Sequence, residues 1–240
     1  MKRRGAALLT LLAAIALAGC ESTEQESAAI AKRLGHQSAS AATTQIKGAD
    51  ASVRVVSAQI VSSASGDAAA LELSNTSSKA QADIPILITA YDAAGKAVYS
   101  NSTVGEGSPS GELSLLDPHA TVWWVDSSVL ASGGTPVRVV TKIGAPTASA
   151  PPPSLSASKL AVGSNFVGPF IGGSASNSSS APAADVTVYA VALAGSRVVA
   201  AGQSLIPSLA AHGSAAFQVN VVGSTKDATP AATAAPAHIS

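Results

Sequence analysis

Residues 82–91 read A-D-I-P-I-L-I-T-A-Y, and residues 184–193 read A-D-V-T-V-Y-A-V-A-L. In the first stretch the three isoleucines recur at every second residue, which is the pattern of a β-strand. The second stretch is apolar at alternate positions on both faces, which predicts a central strand. Pro85 lacks the N–H that a ladder needs, so we expect the first strand to lie beside a sheet edge at that point.

The two stretches belong to an internal repeat. Asn75-Thr76-Ser77-Ser78 lies 102 residues before Asn177-Ser178-Ser179-Ser180, and the Ala-Asp motif keeps that offset. Further along the chain the offset is 93 residues, and the matched pairs are Leu116 and Leu209, His119 and His212, and Trp124 and Phe217. The chain therefore contains two related units.

Other short strands are predicted in both units, with turn sequences between them, such as Ser65-Gly66-Asp67, Asp92–Gly95 and Ala194-Gly195-Ser196. The predicted strands cover residues 53–61, 68–74, 96–100, 121–125 and 136–142, then 160–162, 170–176, 197–202 and 214–222. Strands at this spacing, with no helical periodicity between them, predict an all-β fold of antiparallel β-sandwiches.

Composition divides the chain into segments. We expect β-sandwich domains at residues 50–144 and 155–223, joined by a Pro/Ala linker at 145–154. Three successive prolines favour an extended conformation in that linker. Residues 20–49 are predicted to be a flexible tether and residues 224–240 a disordered tail, because segments rich in Ser, Ala and Thr bury too little apolar surface to offset the entropy of ordering.

The N-terminus has the pattern of a signal peptide at residues 1–19. Three basic residues precede an uncharged run of thirteen residues at 6–18. A permanent membrane span needs about 20 apolar residues, so a cleaved segment is the better interpretation. The run ends in Leu17-Ala18-Gly19-Cys20, which resembles the lipobox of exported bacterial lipoproteins. The resemblance implies that Cys20 receives a diacylglyceryl group and becomes the first residue of the mature protein. The alternative is an ordinary secretory peptide with a chance cysteine.

Charge and cysteine usage exclude some classes of protein. Without residues 1–19 the chain keeps 11 basic and 14 acidic side chains, a net charge of −3. No basic patch is present that would neutralise nucleic-acid phosphates. Cys20 is the only cysteine, so the chain forms no internal disulfide. Aromatic residues make up 3% of the chain, which predicts a core of Val, Ile, Leu and Ala.

Both repeats resemble the FxLYD-type domain, an immunoglobulin-like β-sandwich of bacterial exported proteins. The matching segments of the first copy are L-E-L-S-N, I-L-I-T-A-Y-D-A-A-G and L-D-P-H-A-T-V-W-W, and those of the second are G-G-S-A-S-N, V-T-V-Y-A-V-A-L-A-G and L-A-A-H-G-S-A-A-F. Tyr91-Asp92 has no counterpart in the second copy, and His119 and His212 stand where the family has glycine. The resemblance implies that the all-β chain folds as two tandem immunoglobulin-like antiparallel β-sandwiches. It also implies a role in extracytoplasmic binding or scaffolding.

Histidine and tryptophan supply the first candidate site residues. His119 and His212 could bind a metal ion, but no second ligand lies nearby in sequence, and a turn position with positive φ explains them better. Trp123 and Trp124 are neighbours on a predicted strand and face opposite sides. We expect Trp124 in the core, as the counterpart of Phe217, and Trp123 outside as a possible ligand contact.

Three further polar residues have structural interpretations. Asn75 and Asn177 are predicted to form Asx turns. Asp92 is predicted to be a turn residue rather than a calcium ligand, because one carboxylate does not supply the six to eight oxygens that Ca²⁺ takes.

The sequence offers little for catalysis. Ser156-Ala157-Ser158-Lys159 matches S-x-x-K without a helix or the companion motifs, and Gly105-Glu106-Gly107 lacks the rest of a nucleotide-binding fingerprint. We therefore expect no catalytic residues, no cofactor and no metal.

The expected protein is a non-catalytic lipoprotein of the bacterial cell envelope. It would be anchored in the cell membrane or the outer membrane, facing the periplasm or the exterior, and would serve for binding or scaffolding. Its partners would be the membrane and an envelope protein or polysaccharide, with no nucleic acid. The alternative is a solute- or polysaccharide-binding lipoprotein with its ligand near Trp123 or between the domains.

Overall fold

The computed structural model describes residues 52–102, 111–148 and 154–236. These residues all belong to one compact unit, residues 43–240. The predicted signal peptide, Cys20 and the predicted tether up to residue 49 lie outside the described residues. We call residues 52–148 the first half of this unit and residues 154–236 the second half.

Fifteen strands and no helix form the described part of the chain. Those of the first half are β1 (Val53–Ser63), β2 (Gly66–Asn75), β3 (Gln81–Tyr91), β4 (Ala97–Ser100), β5 (Glu112–Leu116), β6 (Thr121–Asp126), β7 (Arg138–Ile143) and β8 (Thr147–Ala148). Those of the second half are β9 (Leu155–Ser164), β10 (Pro169–Asn177), β11 (Ala183–Ala194), β12 (Arg197–Leu209), β13 (Ser214–Asn220), β14 (Val222–Gly223) and β15 (Thr229–Ala235). The predicted all-β fold is confirmed.

Each half contributes two sheets, and every strand pairing is antiparallel. In the first half the sheets are β1-β2-β6 and β4-β3-β5, with β7 and β8 also paired to β3. In the second half they are β13-β10-β9 and β14-β12-β11-β15. The strand orders of the two halves correspond, because β1, β2, β3, β6 and β7 occupy the places of β9, β10, β11, β13 and β15.

The register shows the sequence repeat in three dimensions. Gln81 pairs with Leu116 on β3 and β5, and Ala183 pairs with Leu209 on β11 and β12. These pairs are related by the same offsets, 102 and 93 residues, that the sequence shows. The smaller second offset gives the first copy nine additional residues. The second copy has one continuous strand, β12, at this place. In the first copy the additional residues interrupt that strand, which is therefore present as two strands, β4 and β5.

The side-chain amide of Asn101 bonds to β3 in the gap between β4 and β5. The Ile88 N–H donates to Asn101 Oδ1 at 2.8 Å, and Asn101 Nδ2 donates to Ile86 O at 3.0 Å. At the equivalent positions β11 pairs with the backbone of β12. Buried Asn101 thus satisfies backbone groups that would otherwise lack partners.

Two of the four sheets, β1-β2-β6 and β14-β12-β11-β15, are covered on both faces, and we call them the inner sheets. Ala68–Leu71 on β2 are all fully buried, and so are Val188 and Ala190–Ala192 on β11. Side chains on alternate sides of β11 belong to different core clusters, with Val188 in the second half's own core and Val191 in the core of the first half. The sheets β1-β2-β6 and β14-β12-β11-β15 therefore pack on each other. The ring of Tyr189 lies 6.5 Å from that of Trp124 at this contact.

The predicted positions of the two signature strands have different outcomes. β11 lies between β12 and β15, as a central strand should, which confirms the prediction. β3 is also central, with β5 on one side and β7 and β8 on the other, so the predicted edge position is wrong. The missing N–H of Pro85 is tolerated because one ladder is interrupted between β7 and β8. At that break the Gly144 N–H donates to Pro85 O at 2.8 Å.

Two segments without a clear strand pattern contain strands. Thr229–Ala235, within the expected tail at 224–240, forms β15 and pairs with β11 from Leu193 to Thr187. Thr147–Ala148, within the expected linker at 145–154, pairs with β3. The prediction of a disordered tail at residues 224–240 is therefore wrong for Thr229–Ala235, which form β15. The physical reason is that the outer side of β11 presents backbone groups that need partners, and small side chains fit beside it.

Candidate functional site

A broad groove of about 950 Å³ opens where the two halves meet. One wall is β1 from Ala58 to Ser63, and another is Val137–Val139 at the start of β7. The opposite side is the β11–β12 hairpin together with residues of the segment from Gly223 to Asp227. Neither half forms this groove alone, because its walls come from both sequence copies.

Gln59 fixes the hairpin against β1. Its Nε2 donates to Ser196 O at 3.1 Å, and its Oε1 accepts from the Val198 N–H at 2.9 Å. One side-chain amide thus bonds to a backbone acceptor and a backbone donor of the other half, as a neighbouring strand would. This pair of bonds sets the spacing between the walls of the groove.

Gly223 permits a close approach on the same side of the groove. Its φ is +103°, a conformation that residues with a Cβ rarely adopt. A Cβ there would also lie 2.7 Å from Val61 Cγ1 and would collide with Val199 O. Glycine is therefore required for β14 to lie against both β12 and β1.

The groove carries more positive than negative charge. Arg138, Arg197 and Lys226 line it, and Asp227 is the one acidic residue among the described residues of its lining. All four are exposed. The guanidinium carbon of Arg138 lies 4.5 Å from the centroid of the Tyr91 ring, an arrangement that favours a cation–π contact and restrains the arginine. An anionic group on a ligand would be attracted here, although the expected mature chain is acidic.

The tryptophan pair lies away from this groove. Trp124 is 2% exposed, and its Nε1 donates to Glu112 O at 3.2 Å, which confirms the predicted core position. Trp123 is half-buried and packs against the first core cluster. Its backbone N–H donates to Thr233 Oγ1 of β15 at 2.9 Å. The second half thus lies against the strand that carries Trp123, and a ligand contact at Trp123 stays a prediction.

The two histidines lie in equivalent turns. His119 has φ of 56° and His212 has φ of 52°, so both take the left-handed conformation, as the turn interpretation predicted. Each is the third residue of a turn in which the fourth N–H donates to the first carbonyl, at 3.2 Å in Asp117–Ala120 and 3.0 Å in Ala210–Gly213. Positive φ at the third position is the geometry of a type II turn.

Asn75 connects the loop after β2 to the β5–β6 turn. Its Oδ1 accepts from the Ser77 N–H at 2.9 Å, which is the predicted Asx turn. Its Nδ2 donates to three carbonyl oxygens, those of Lys79, Leu116 and Asp117, at 2.7–3.1 Å. The residue is 1% exposed, so these bonds satisfy groups that water does not reach.

Asn177 repeats this arrangement in the second half. Its Oδ1 accepts from the Ser179 N–H at 3.0 Å, and its Nδ2 donates to Ala181 O at 2.8 Å. Longer bonds reach Leu209 O and Ala210 O. Both asparagines are therefore structural residues that hold equivalent loops.

The motifs weighed for catalysis do not assemble in the described residues. Ser156 and Lys159 lie on β9, a strand, and not on a helix. The Gly105–Gly107 motif lies outside the described residues. Asp92 Oδ1 accepts from the N–H groups of Ala94 and Lys96 at 3.0 and 2.9 Å, as a turn residue does. Within the described ranges, no group of three or more His, Cys, Asp or Glu side chains is placed to share a metal ion.

A second, smaller cavity of about 190 Å³ also lies between the halves. It is lined by the β5–β6 turn, the start of β9 and the end of β15. Asp117 lies on its rim, and partial burial raises the pKa of this carboxyl above its ordinary value.

Two further polar groups are buried outside both cavities. Tyr99 Oη donates to buried Asp126 Oδ2 at 2.6 Å. Burial, with a smaller contribution from the charge of Glu112, raises the pKa of Tyr189.

The groove residues were not identified in the sequence. Gln59, Arg138, Arg197 and Lys226 stand singly among small residues, and no local motif marks them. They come together only because the two inner sheets pack on each other. The matched repeat was the available signal, since it indicated two units whose junction could form a site.

A scan of the sequence against models of known protein families gives no match, and no curated protein matches it significantly. Among the described residues, no helix has the length and hydropathy needed to cross a membrane.

Proposed function

We propose that this chain is a lipid-anchored, non-catalytic binding and scaffold module of the bacterial cell envelope. Support for the anchor comes from Leu17-Ala18-Gly19-Cys20, in which Cys20 is the residue to be acylated. Two or more acyl chains give stable membrane attachment, because each buried CH₂ contributes about 0.8 kcal/mol. The folded unit would face the periplasm or the exterior.

The groove between the halves supports the binding role. Its volume of about 950 Å³ is within the range of ligand sites, roughly 300–1,000 Å³. Gln59 fixes its walls, so a ligand would enter a largely preformed site. This observation carries the proposal, because a pure spacer has no need of a shaped groove whose lining includes Arg138 and Arg197.

A second candidate is a solute- or polysaccharide-binding lipoprotein. The groove favours a ligand with anionic groups, since Arg138 and Arg197 present guanidinium groups that bind carboxylate or phosphate through two hydrogen bonds. Of the two locations expected from the sequence, the junction of the halves offers this chemistry. Half-buried Trp123 offers a smaller surface.

The anchor is tested by fractionating cells that produce Cys20→Ala. We expect the wild-type protein in the membrane fraction and the variant in the soluble fraction, because the thiol is the acylation point. Ser22→Ala is a matched control that leaves the motif intact. A variant that stays with the membrane would contradict the proposed anchor.

The groove is tested by co-sedimentation with insoluble cell-wall fragments, with and without their anionic polymers. We expect Arg138→Ala combined with Arg197→Ala to weaken binding to the anionic material about tenfold or more, as the loss of charged contacts would. Arg54→Ala, an exposed arginine of β1 outside the groove lining, is the control. Loss of binding in Trp123→Ala alone would move the site to that residue.

A further inference from the structure

The β9–β10 hairpin ends in an exposed apolar tip. Phe166 is 101% exposed, and Val167 is 59% exposed. Large apolar side chains normally lie against other apolar groups, and a fully exposed phenylalanine gives nothing to the stability of this unit. Two adjacent exposed apolar side chains at a turn are a candidate contact for another apolar surface.

The first half contains the same turn without the apolar tip. Ser63–Gly66 and Asn165–Gly168 are equivalent at the repeat offset of 102 residues. In both turns the third N–H donates to the side-chain oxygen of the first residue, at 3.2 and 2.8 Å. In both, the fourth residue is a glycine with positive φ, 131° and 141°. The two middle residues are Ala-Ser in the first half and Phe-Val in the second, so the turn does not require apolar residues.

The polar groups of the second turn are largely paired within it. The Asn165 N–H donates to Gly168 O at 2.9 Å, and the N–H groups of Val167 and Gly168 both donate to Asn165 Oδ1. Three of its four N–H groups are therefore satisfied without water. Entry into a lipid phase costs little for backbone that is paired in this way.

The part of the hairpin next to the tip is also free of charge, and the nearest charged residue of β9 is Lys159. From Leu160 to Ala184 the sequence contains no Asp, Glu, Lys, Arg or His. Charged side chains are costly inside a bilayer, and their absence favours an apolar environment for the tip. The absence of Lys and Arg also means that anionic headgroups are not needed to attract it.

We propose that the Phe166–Val167 tip inserts into the headgroup and acyl boundary of a lipid bilayer as a second membrane contact. The inference rests in part on the proposed anchor at Cys20, because two apolar side chains alone bind membranes weakly. An anchor on the same chain raises the effective concentration of the tip at the surface. The 32 residues between Cys20 and Val53 can span roughly 100 Å when extended, which is enough for the tip to reach the bilayer.

The test uses the full-length protein reconstituted in phosphatidylcholine vesicles. Val167→Cys and Ser65→Cys place an environment-sensitive dye at equivalent positions of the two turns, since acylated Cys20 cannot react with it. We expect a blue shift of dye emission, and quenching by nitroxide-labelled lipid, at position 167 but not at position 65. Phe166→Ala should reduce the inserted fraction at position 167 about tenfold. Added phosphatidylglycerol should change the signal little.

The outcomes separate the tip from the anchor. Protein that floats with the vesicles but shows no shift at position 167 overturns the tip and leaves the anchor standing. A mass measurement that shows an unmodified Cys20, together with a shift at position 167 in the Cys20→Ala background, overturns the anchor and supports the tip. Protein that does not associate with vesicles overturns both. A shift that appears in native envelopes but not in pure lipid would assign the tip to a protein pocket and overturn lipid insertion.

Discussion

The Val198 N–H donates to Gln59 Oε1 at 2.9 Å, although the two residues are 139 positions apart in the chain. The Nε2 of Gln59 donates to Ser196 O at 3.1 Å. A single glutamine of the first half thus bonds to the backbone of the β11–β12 turn and to the backbone at the start of β12. The two halves are joined by specific polar contacts as well as by apolar packing.

Replacement of Gln59 by Ala should lower the free energy of unfolding by about 1–2 kcal/mol, because two hydrogen bonds to backbone groups are lost. Chemical denaturation measures this change. Gln218→Ala, on the exposed face of β13, is the matched control and should have little effect. A Gln59→Ala variant as stable as the control would show that the amide does not hold the hairpin.

Asn75→Asp and Asn177→Asp should each destabilise the fold by about 3 kcal/mol. The carboxylate keeps the acceptor but loses the Nδ2 donor, so buried carbonyl oxygens lose their partner and face a negative charge. Thermal unfolding of the purified variants measures the loss. Asn220→Asp makes the same chemical change at an exposed site and should be nearly neutral. Equal effects at all three sites would contradict the structural role.

His119→Gly should be neutral or should stabilise by up to about 1 kcal/mol, because glycine takes positive φ without a Cβ penalty. His119→Val should cost about 1–2 kcal/mol, since a β-branched residue is strained there. Thermal unfolding with and without Zn²⁺ distinguishes a turn residue from a metal ligand. A zinc-dependent rise in Tm that both substitutions abolish would contradict the turn interpretation.

Asp117→Asn should stabilise the fold at neutral pH. The folded-state pKa of Asp117 is raised, so protonation favours the folded state and ionisation disfavours it. The stability that the protonated group contributes is complete below its ordinary pKa of 3.8 and is lost as pH rises through the folded value. The gain should be less than about 1 kcal/mol because the carboxyl is partly exposed, and it should vanish at low pH.

Denaturation of Asp117→Asn across a pH series checks this sign. Asp185→Asn, at an exposed position with positive φ that asparagine tolerates, is the control. A variant that loses stability at neutral pH, or gains it only in acid, would contradict the assignment.

The alternating strands were predictable from sequence because they carry strong apolar side chains. β3 and β11 stand out through Ile, Val and Leu at every second position, and the repeat identified their equivalence. β15 was not predicted, because Thr229–Ala235 consists of Ala, Thr and Pro and has little apolar contrast. This segment becomes a strand because the tertiary structure places it beside β11, with which it pairs.

A ligand site between the domains was one expectation from the sequence, but the residues that line the groove could not be predicted, for a related reason. Gln59, Arg138 and Arg197 lie far apart in sequence, and their neighbours give no motif. The turn positions of His119 and His212 could be predicted, since the repeat places each where a glycine is usual and local backbone preference decides the conformation. Local backbone conformation could therefore be predicted from the sequence, whereas the packing of one half on the other could not.

Intact-mass spectrometry of the protein purified from membranes tests the proposed anchor most directly. We expect a chain that begins at Cys20 and carries the added mass of a diacylglyceryl group, with or without a further acyl chain on the new amino terminus. A chain that retains residues 1–19, or one that begins elsewhere with an unmodified thiol at Cys20, would contradict it.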